Sequence, residues 1–411
     1  MKVLMFGWEF PPHNSGGLGV ACKGIVESLC SQGTSVSFVL PKKVPLDPSP
    51  HRILFADDET TAELTVHGVD VLLTPYVTSE QYREHTERVK KGDTVGSSYA
   101  RSLMEEVYRY GALARDVAHA EEHDVIHAHD WLSFEAGIAA KRASKKPLVV
   151  HVHATEFDRS GENINRAVYD IERRGVHVAD RVVAVSRFTK DILTKRYGVT
   201  PDKISVVHNG INEEEYNDLP TEAPESIKRL KKHGYKIVLF VGRITFQKGP
   251  DYFVRMAKKV RAHEPNTFFV VSGSGDMERQ MMEEVAAARM SDRFIFTGFL
   301  RGDPLNTVYK AADLYIMPSV SEPFGITPLE AMMHDTPVLI SKQAGVSEVV
   351  KHALKADFWD TDDMASKTVS LLRGPSLKQC LRSNGRRELS GINWKVAGEK
   401  LVTLYRQLAS K

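Results

Sequence analysis

Short unbroken apolar runs recur along the chain. Each is followed by a loop rich in glycine, proline or histidine, and then by residues at helical spacing. The first run, Lys2-Val-Leu-Met-Phe6, leads through Gly7-Trp-Glu-Phe-Pro-Pro-His-Asn-Ser-Gly-Gly-Leu-Gly19 into a helix predicted over 20–30 and stopped by Gly33. Val36 to Leu40 is the next run. Runs without alternation are what parallel strands covered on both faces require. Strand, glycine loop, helix, strand is a Rossmann-like unit. Further strands are predicted within Asp124 to Trp131, Pro147 to Asp158, Asp180 to Ser186 and Ile204 to Gly210, with helical spacing over 102–120 and 187–196.

Lys236-Ile-Val-Leu-Phe-Val241 restarts the theme, and strands follow at Phe268, Phe294, Ala312 to Pro318 and Thr336 to Ile340. The chain therefore reads as α/β, two Rossmann-like halves in tandem. A length of 411 residues is too great for one ordinary core. The predicted boundaries are a first domain over 1–212, a linker over 213–234 that is acidic and then basic, and a second domain over 235–390. A closing amphipathic helix over 391–411 carries Trp394, Ala397, Leu401, Leu404, Tyr405 and Leu408 on one stripe. Residues 77–101 are polar and weakly periodic, a loop or mobile helix pair.

Composition narrows the class. Apolar residues at 42% and charged residues at 26% fit a soluble globular protein, and a net charge of +2 argues against nucleic-acid binding as the main business while leaving local patches open. Cys22, Cys30 and Cys380 lack metal spacing and suit a reducing compartment. No apolar run approaches the ~20 residues of a membrane span. The expectation is a cytoplasmic enzyme. Lys141, Arg142, Lys145 and Lys146 form a basic run that reads as a solvated helix end rather than a membrane-binding patch.

The densest chemistry lies in Ser319-Val-Ser-Glu-Pro-Phe-Gly-Ile-Thr-Pro-Leu-Glu-Ala-Met-Met333. Pro323, Gly325 and Pro328 forbid one continuous helix. Glu322 then falls in a loop beside Phe324 and Gly325, and Glu330 in the first turn of a helix beginning near Pro328. Glu330 has two readings: a ligand group, or the far end of a capping box with Thr327. Arg243 and Lys248 sit between a strand and a helix, where two cations face the positive end of the helix dipole. That placement is unfavourable unless an anion joins them, which argues for a diphosphate; two solvated loop cations are the alternative. Gly16 and Gly17 would let backbone amides approach a ligand, or simply serve a tight turn. Gly273 ends a strand in small residues that allow close approach by a nucleotide. His127, His129, Asp130, His151 and His153 invite a metal reading. Pairs two apart on separate parallel strands rarely converge, however, and no Cys or H-E-x-x-H pattern accompanies them. No metal is expected, and one histidine at a strand end is expected to line a cleft.

Glu322 and Glu330 resemble the E-x7-E pattern of retaining glycosyltransferases of the two-Rossmann-domain (GT-B) architecture, as in glycosyltransferase family 4 and the bacterial glycogen synthases. The resemblance covers nearly the whole chain. Arg243 and Lys248 are similar to the family's R-x4-K diphosphate clamp. Gly-Gly-Leu-Gly19 is similar to its glycine loop, although Asn14-Ser15 stands where a lysine is common. His153-Ala-Thr-Glu156 resembles the V-H-x-T-[DE] setting whose histidine contacts the donor sugar. The resemblance implies two domains facing across a cleft, a last helix returning to the first domain, and main-chain groups beside Phe299 holding the donor base. Asp130 and Trp131 would then meet the acceptor. The implied catalytic set is Glu322, His153, Arg243 and Lys248. Gly16, Gly17, Gly273, Phe299, Phe324, Gly325 and Glu330 would join Arg243 and Lys248 in binding the donor. The implied co-substrate is a nucleotide-diphosphate sugar, leaning to a glucosyl donor, with no further cofactor, and the acceptor a saccharide such as a glucan. A lipid or other non-glucan acceptor, a phosphorylase and a nucleotide-sugar-binding protein of the same fold are the alternatives. The fingerprint G-x-G-x-x-G of a dinucleotide enzyme is missing.

Overall fold

The computed structural model describes residues 1–11, 16–41, 52–55, 95–213 and 225–410. The chain divides into two compact units. The first comprises residues 1–157, 161–210 and 394 onward, and the second 158–160 and 211–393.

The first unit is built on seven parallel strands: β1 (Lys2–Phe6), β2 (Ser35–Leu40), β3 (Arg52–Phe55), β4 (Val125–His129), β5 (Leu148–Val152), β6 (Arg181–Ala184) and β7 (Ile204–Val206). Their order is β3-β2-β1-β4-β5-β6-β7. The apolar runs are buried along their length, as a sheet with helices on both faces demands. Helix Gly17–Ser31 starts before the predicted residue 20, and helix Val95–Ala120 runs N-terminal of the predicted start. The rest of the polar segment expected over 77–101, and Asn14-Ser15, lie outside the described residues.

The second unit carries six parallel strands: β8 (Lys236–Val241), β9 (Thr267–Ser272), β10 (Phe294–Gly298), β11 (Leu314–Met317), β12 (Val338–Ser341) and β13 (Leu354–Ala356). Their order is β10-β9-β8-β11-β12-β13. In each sheet the strand order reverses at one point, between β1 and β4 and between β8 and β11. In open sheets of this type ligands bind beyond the carboxyl ends of the strands at such a reversal. Part of the segment read as linker is helical, over Glu225–Lys232, and residues 214–224 lie outside the description.

The closing helix, Trp394–Ala409, belongs to the first unit. All the positions of its predicted apolar stripe are buried. It packs on helix Gly17–Ser31, where Ser28 Oγ donates to the Trp394 carbonyl at 2.7 Å. Two glycines make this approach possible. A Cβ on Gly24 would lie 2.3 Å from the Trp394 ring, and one on Gly398 would lie 2.2 Å from Ser28 Oγ.

Candidate active site

In the second unit Arg243, Lys248, Glu322, Phe324, Gly325 and Glu330 follow the two strands that flank the reversal, whereas Gly273 and Phe299 follow β9 and β10. β8 delivers Gly242, Arg243 and a short helical turn, Phe246–Lys248, that leads into helix Pro250–His263. β11 delivers the loop containing Ser319 and Glu322, then helix Thr327–Met333. The loops are tied by main-chain bonds: Val320 N–H donates to Gln247 O at 2.9 Å, and Gly345 N–H to Glu322 O at 2.9 Å. Across the reversal Lys248 Nζ forms an ion pair with the buried carboxylate of Glu322. The anion that balances Lys248 at the helix N-terminus is thus supplied within the chain. Arg243, at the end of β8, is exposed.

Gly325 has φ of +92°, a left-handed conformation in which a side chain would press on Glu322 Cγ at 3.0 Å. The close approach at Gly273 is to the protein itself: a Cβ there would lie 1.9 Å from the Gly242 carbonyl oxygen. Phe324 is buried at 2% exposure, whereas Phe299 is 59% exposed, with the Arg301 guanidinium 4.7 Å above its ring. Glu330 accepts a hydrogen bond from Tyr309 Oη at 2.9 Å. Helix Thr327–Met333 has Ile326 as its cap with no side-chain capping bond, and Thr327 Oγ1 is engaged with Tyr315 Oη at 2.8 Å. The capping-box geometry is therefore not adopted.

In the first unit Gly16 caps helix Gly17–Ser31, and none of the described residues lies within 4 Å of where a Gly17 side chain would begin. Gly16 lies against the buried carboxylate of Glu9, which sequence reasoning passed over. Asp130 ends β4 with φ of 58°, an uncommon conformation for a residue with a side chain. Its Oδ1 accepts from the amides of His153 at 2.6 Å and Ala154 at 3.3 Å, which fixes the turn after β5. Trp131 is only 6% exposed and packs in the hydrophobic core.

The histidine pairs do converge, contrary to expectation. β4 and β5 are adjacent, in a register that sets His129 opposite His151. Period-two alternation then brings His127, His129, His151 and His153 to one face. Ring centroids are 4.3 Å apart for His127–His129 and 4.2 Å for His151–His153. His129 Nδ1 is hydrogen-bonded to His153 Nε2 at 2.9 Å, and His127 Nδ1 to Tyr405 Oη of the closing helix at 2.5 Å. Burial pushes His127 and His153 down to about 3 and His129 and His151 well below the usual range, reinforced at His127, His129 and His151 by the neighbouring imidazoles. All four are neutral at pH 7.

Residues 222–388 match the family model for glycosyl transferases group 1, and residues 58–215 match glycosyltransferase family 4. A D-inositol 3-phosphate glycosyltransferase of Salinispora arenicola is 30% identical over 323 residues, covering 72% of this chain and 71% of that one. The chain belongs to the family 4 glycosyltransferases. An uncharacterized glycosyltransferase of Methanocaldococcus jannaschii is 29% identical over 99% of this glycosyltransferase and 98% of its own length. A glycogen synthase of Mycobacterium tuberculosis is 27% identical over 100% of this chain and 95% of its own. Among solved structures, sucrose-phosphate synthase of Thermosynechococcus elongatus superposes with a TM-score of 0.74 at 21% identity, covering 100% and 99% of the two chains. HepE of Anabaena, solved with UDP and glucose, superposes with a TM-score of 0.69 at 16% identity, covering 99% and 100%.

The GT-B architecture expected of this glycosyltransferase is the one observed. Among the described residues no helix is long and apolar enough to cross a membrane. Of the singled-out residues, the second sheet gathers Arg243, Lys248, Glu322 and Gly325 at its reversal, and the first gathers Asp130 and His153. Tyr309 and Tyr405, which hold Glu330 and His127, were missed because each looks like any core aromatic on a helix.

Proposed function

We propose that the enzyme moves a glucosyl group from a nucleoside-diphosphate sugar to a hydroxyl of a saccharide, with a glucan as the leading acceptor, and retains configuration at the anomeric carbon. The observation that carries this reading is the Lys248–Glu322 ion pair at the reversal of the second sheet, formed from the same post-β8 loop that carries Arg243. The glycogen synthase relative, aligned along the whole chain, supports the glucosyl donor and glucan acceptor.

In this reading Arg243 binds the diphosphate with a planar fork and Lys248 with a point charge. Both stabilise the charge that develops as the bond from the sugar C1 to the diphosphate oxygen breaks, the contribution expected to dominate. That oxygen keeps the electron pair. The acceptor hydroxyl attacks C1 from the same face and passes its proton to the departing diphosphate. Glu322 positions Lys248 and faces the cationic sugar centre. Glu330 takes the ribose hydroxyls, Phe299 lies against the base, and His153 meets the transferred sugar. Asp130 belongs to the acceptor side. The clamp itself works without a metal.

A second acceptor class is favoured by the 30% identical D-inositol 3-phosphate glycosyltransferase: a small phosphorylated polyol in place of a glucan. The deciding experiment is thermal stabilisation by UDP, ADP, GDP and their glucose conjugates, with and without a chelator. It is followed by product analysis with glycogen and with sugar phosphates as acceptors. One diphosphate raising the midpoint, unaffected by chelation, and an α-linked product seen by NMR are expected. No shift with any nucleotide, or release of glucose 1-phosphate from glucan by orthophosphate alone, would overturn the reading.

A further inference from the structure

The imidazole cluster under β4 and β5 lies outside the reaction just described, apart from His153, and it is chemically anomalous. His127 Nε2, His129 Nε2, both ring nitrogens of His151, and His153 Nδ1 are buried without a hydrogen-bond partner among the described residues. His127, His129 and His151 are each 0% exposed. A buried polar atom left unpaired costs about 1–3 kcal/mol, so five together call for an occupant that satisfies several at once.

We propose that His127, His129 and His151 form a binding site for a borderline-soft divalent transition metal of the Zn2+ class. One nitrogen from each lies within 4.8 Å of the others. Tetrahedral bonds to zinc at about 2.0–2.1 Å put neighbouring nitrogens roughly 3.4 Å apart, so rotation of the rings by about an ångström closes the site. The donor set selects the metal. Neutral imidazole suits zinc, nickel, copper and iron, and with no carboxylate among the three ligands the set offers nothing to Mg2+ or Ca2+.

The surrounding bonds have the pattern that orients metal-binding histidines. With metal on Nε2 of His127 and His129, each Nδ1 carries its proton outward, His127 to Tyr405 Oη and His129 to His153 Nε2. His153 is thereby held with its own proton on Nδ1. The metal would join β4 and β5 to the closing helix through Tyr405, and would set the tautomer of His153 in the turn after β5.

Because the three ligands are fully buried, the metal must enter as the chain folds. The test uses the full-length protein, expressed with added zinc or refolded from denaturant with Zn2+ or Co2+, then washed with chelator. Metal is counted by mass spectrometry, and the Co2+ form is examined by visible absorption. About one metal per chain is expected, with ligand-field bands of nitrogen coordination. Less than a tenth is expected in His129→Gln and in His151→Leu, and full occupancy in an exposed-histidine control, His263→Ala. If folded wild-type protein prepared this way holds no stoichiometric metal, the site is refuted. Stoichiometric metal in a variant lacking all three histidines that circular dichroism shows to be folded refutes it equally, and the wild-type result does not depend on whether any variant folds.

Discussion

Lys248 has a side-chain exposure of 19% and Glu322 of 8%, so their ion pair is largely withdrawn from water. Removing one partner of such a pair leaves the other charge poorly compensated, a loss of about 3–5 kcal/mol when burial is complete and less here, where Lys248 reaches solvent. Glu322→Gln is therefore expected to lower the melting temperature as well as turnover. The double variant Lys248→Met/Glu322→Gln has no stranded charge, and most of the stability should return. Turnover should not: loss of one positioned group that stabilises transition-state charge costs about 10²–10³ in kcat. Calorimetry and steady-state kinetics on the two single variants and the double variant separate these effects. Turnover that recovers together with stability would make the pair structural only. For Glu322→Ala the expected signature is a fall in kcat far larger than the fall in donor affinity, and an equal loss of both would remove its assigned role.

At the scale of elements, β4 and β5 carry a pH dependence of stability. Burial holds His127 and His153 at about 3, and His129 and His151 well below the ordinary range. The unfolded chain takes up protons at these positions as pH falls through about 6.5, while the folded chain does not. Stability is therefore full above that pH and is lost on acidification, by about 1.4 kcal/mol per pH unit for each histidine involved. In protein refolded from denaturant in the presence of chelator, and so free of metal, midpoints measured from pH 7 to 5 should fall steeply, and less steeply in His151→Leu. An unchanged slope in that variant would mean that His151 is protonated in the folded state. Most strands were legible because a strand covered on both faces must be an unbroken apolar run. β3 and β13 were not read, being short edge strands: Arg52-Ile-Leu-Phe55 begins on a charge, and Leu354-Lys-Ala356 holds one at its centre. Which strands lie side by side was also hidden. The register of β4 on β5 makes one cluster of two histidine pairs, and the pairing of Lys248 with Glu322 spans 74 residues. Arg243 and Lys248 could be found because a cation before a helix N-terminus needs an anion. That argument named the cations without revealing that Glu322 is one such anion.

For the whole molecule, chain order and compact units do not coincide. Each unit has its own core, one led by Phe6, Tyr110, Ile126 and Val150, the other by Phe240, Phe253, Phe269 and Ile316. The first unit is completed only by residues from 394 onward, after the second unit has been made. Helix Trp394–Ala409 brings Trp394 against Gly24 and Tyr405 against His127, so the first unit loses two buried aromatic anchors without it. Full burial of one such side chain contributes about 1.5–3 kcal/mol, a large share of the ~5–15 kcal/mol by which a domain is stable. Separate cores also permit separate transitions, and a ligand raises only the transition of the unit that binds it. Ending the chain at Asn393 should therefore lower or abolish one calorimetric transition. The transition that responds to the donor's nucleoside diphosphate should persist, with its shift intact. Loss of the nucleotide response on truncation would place donor binding under the control of the first unit. Retention of both transitions at their original temperatures would mean that the closing helix adds little to the core it covers.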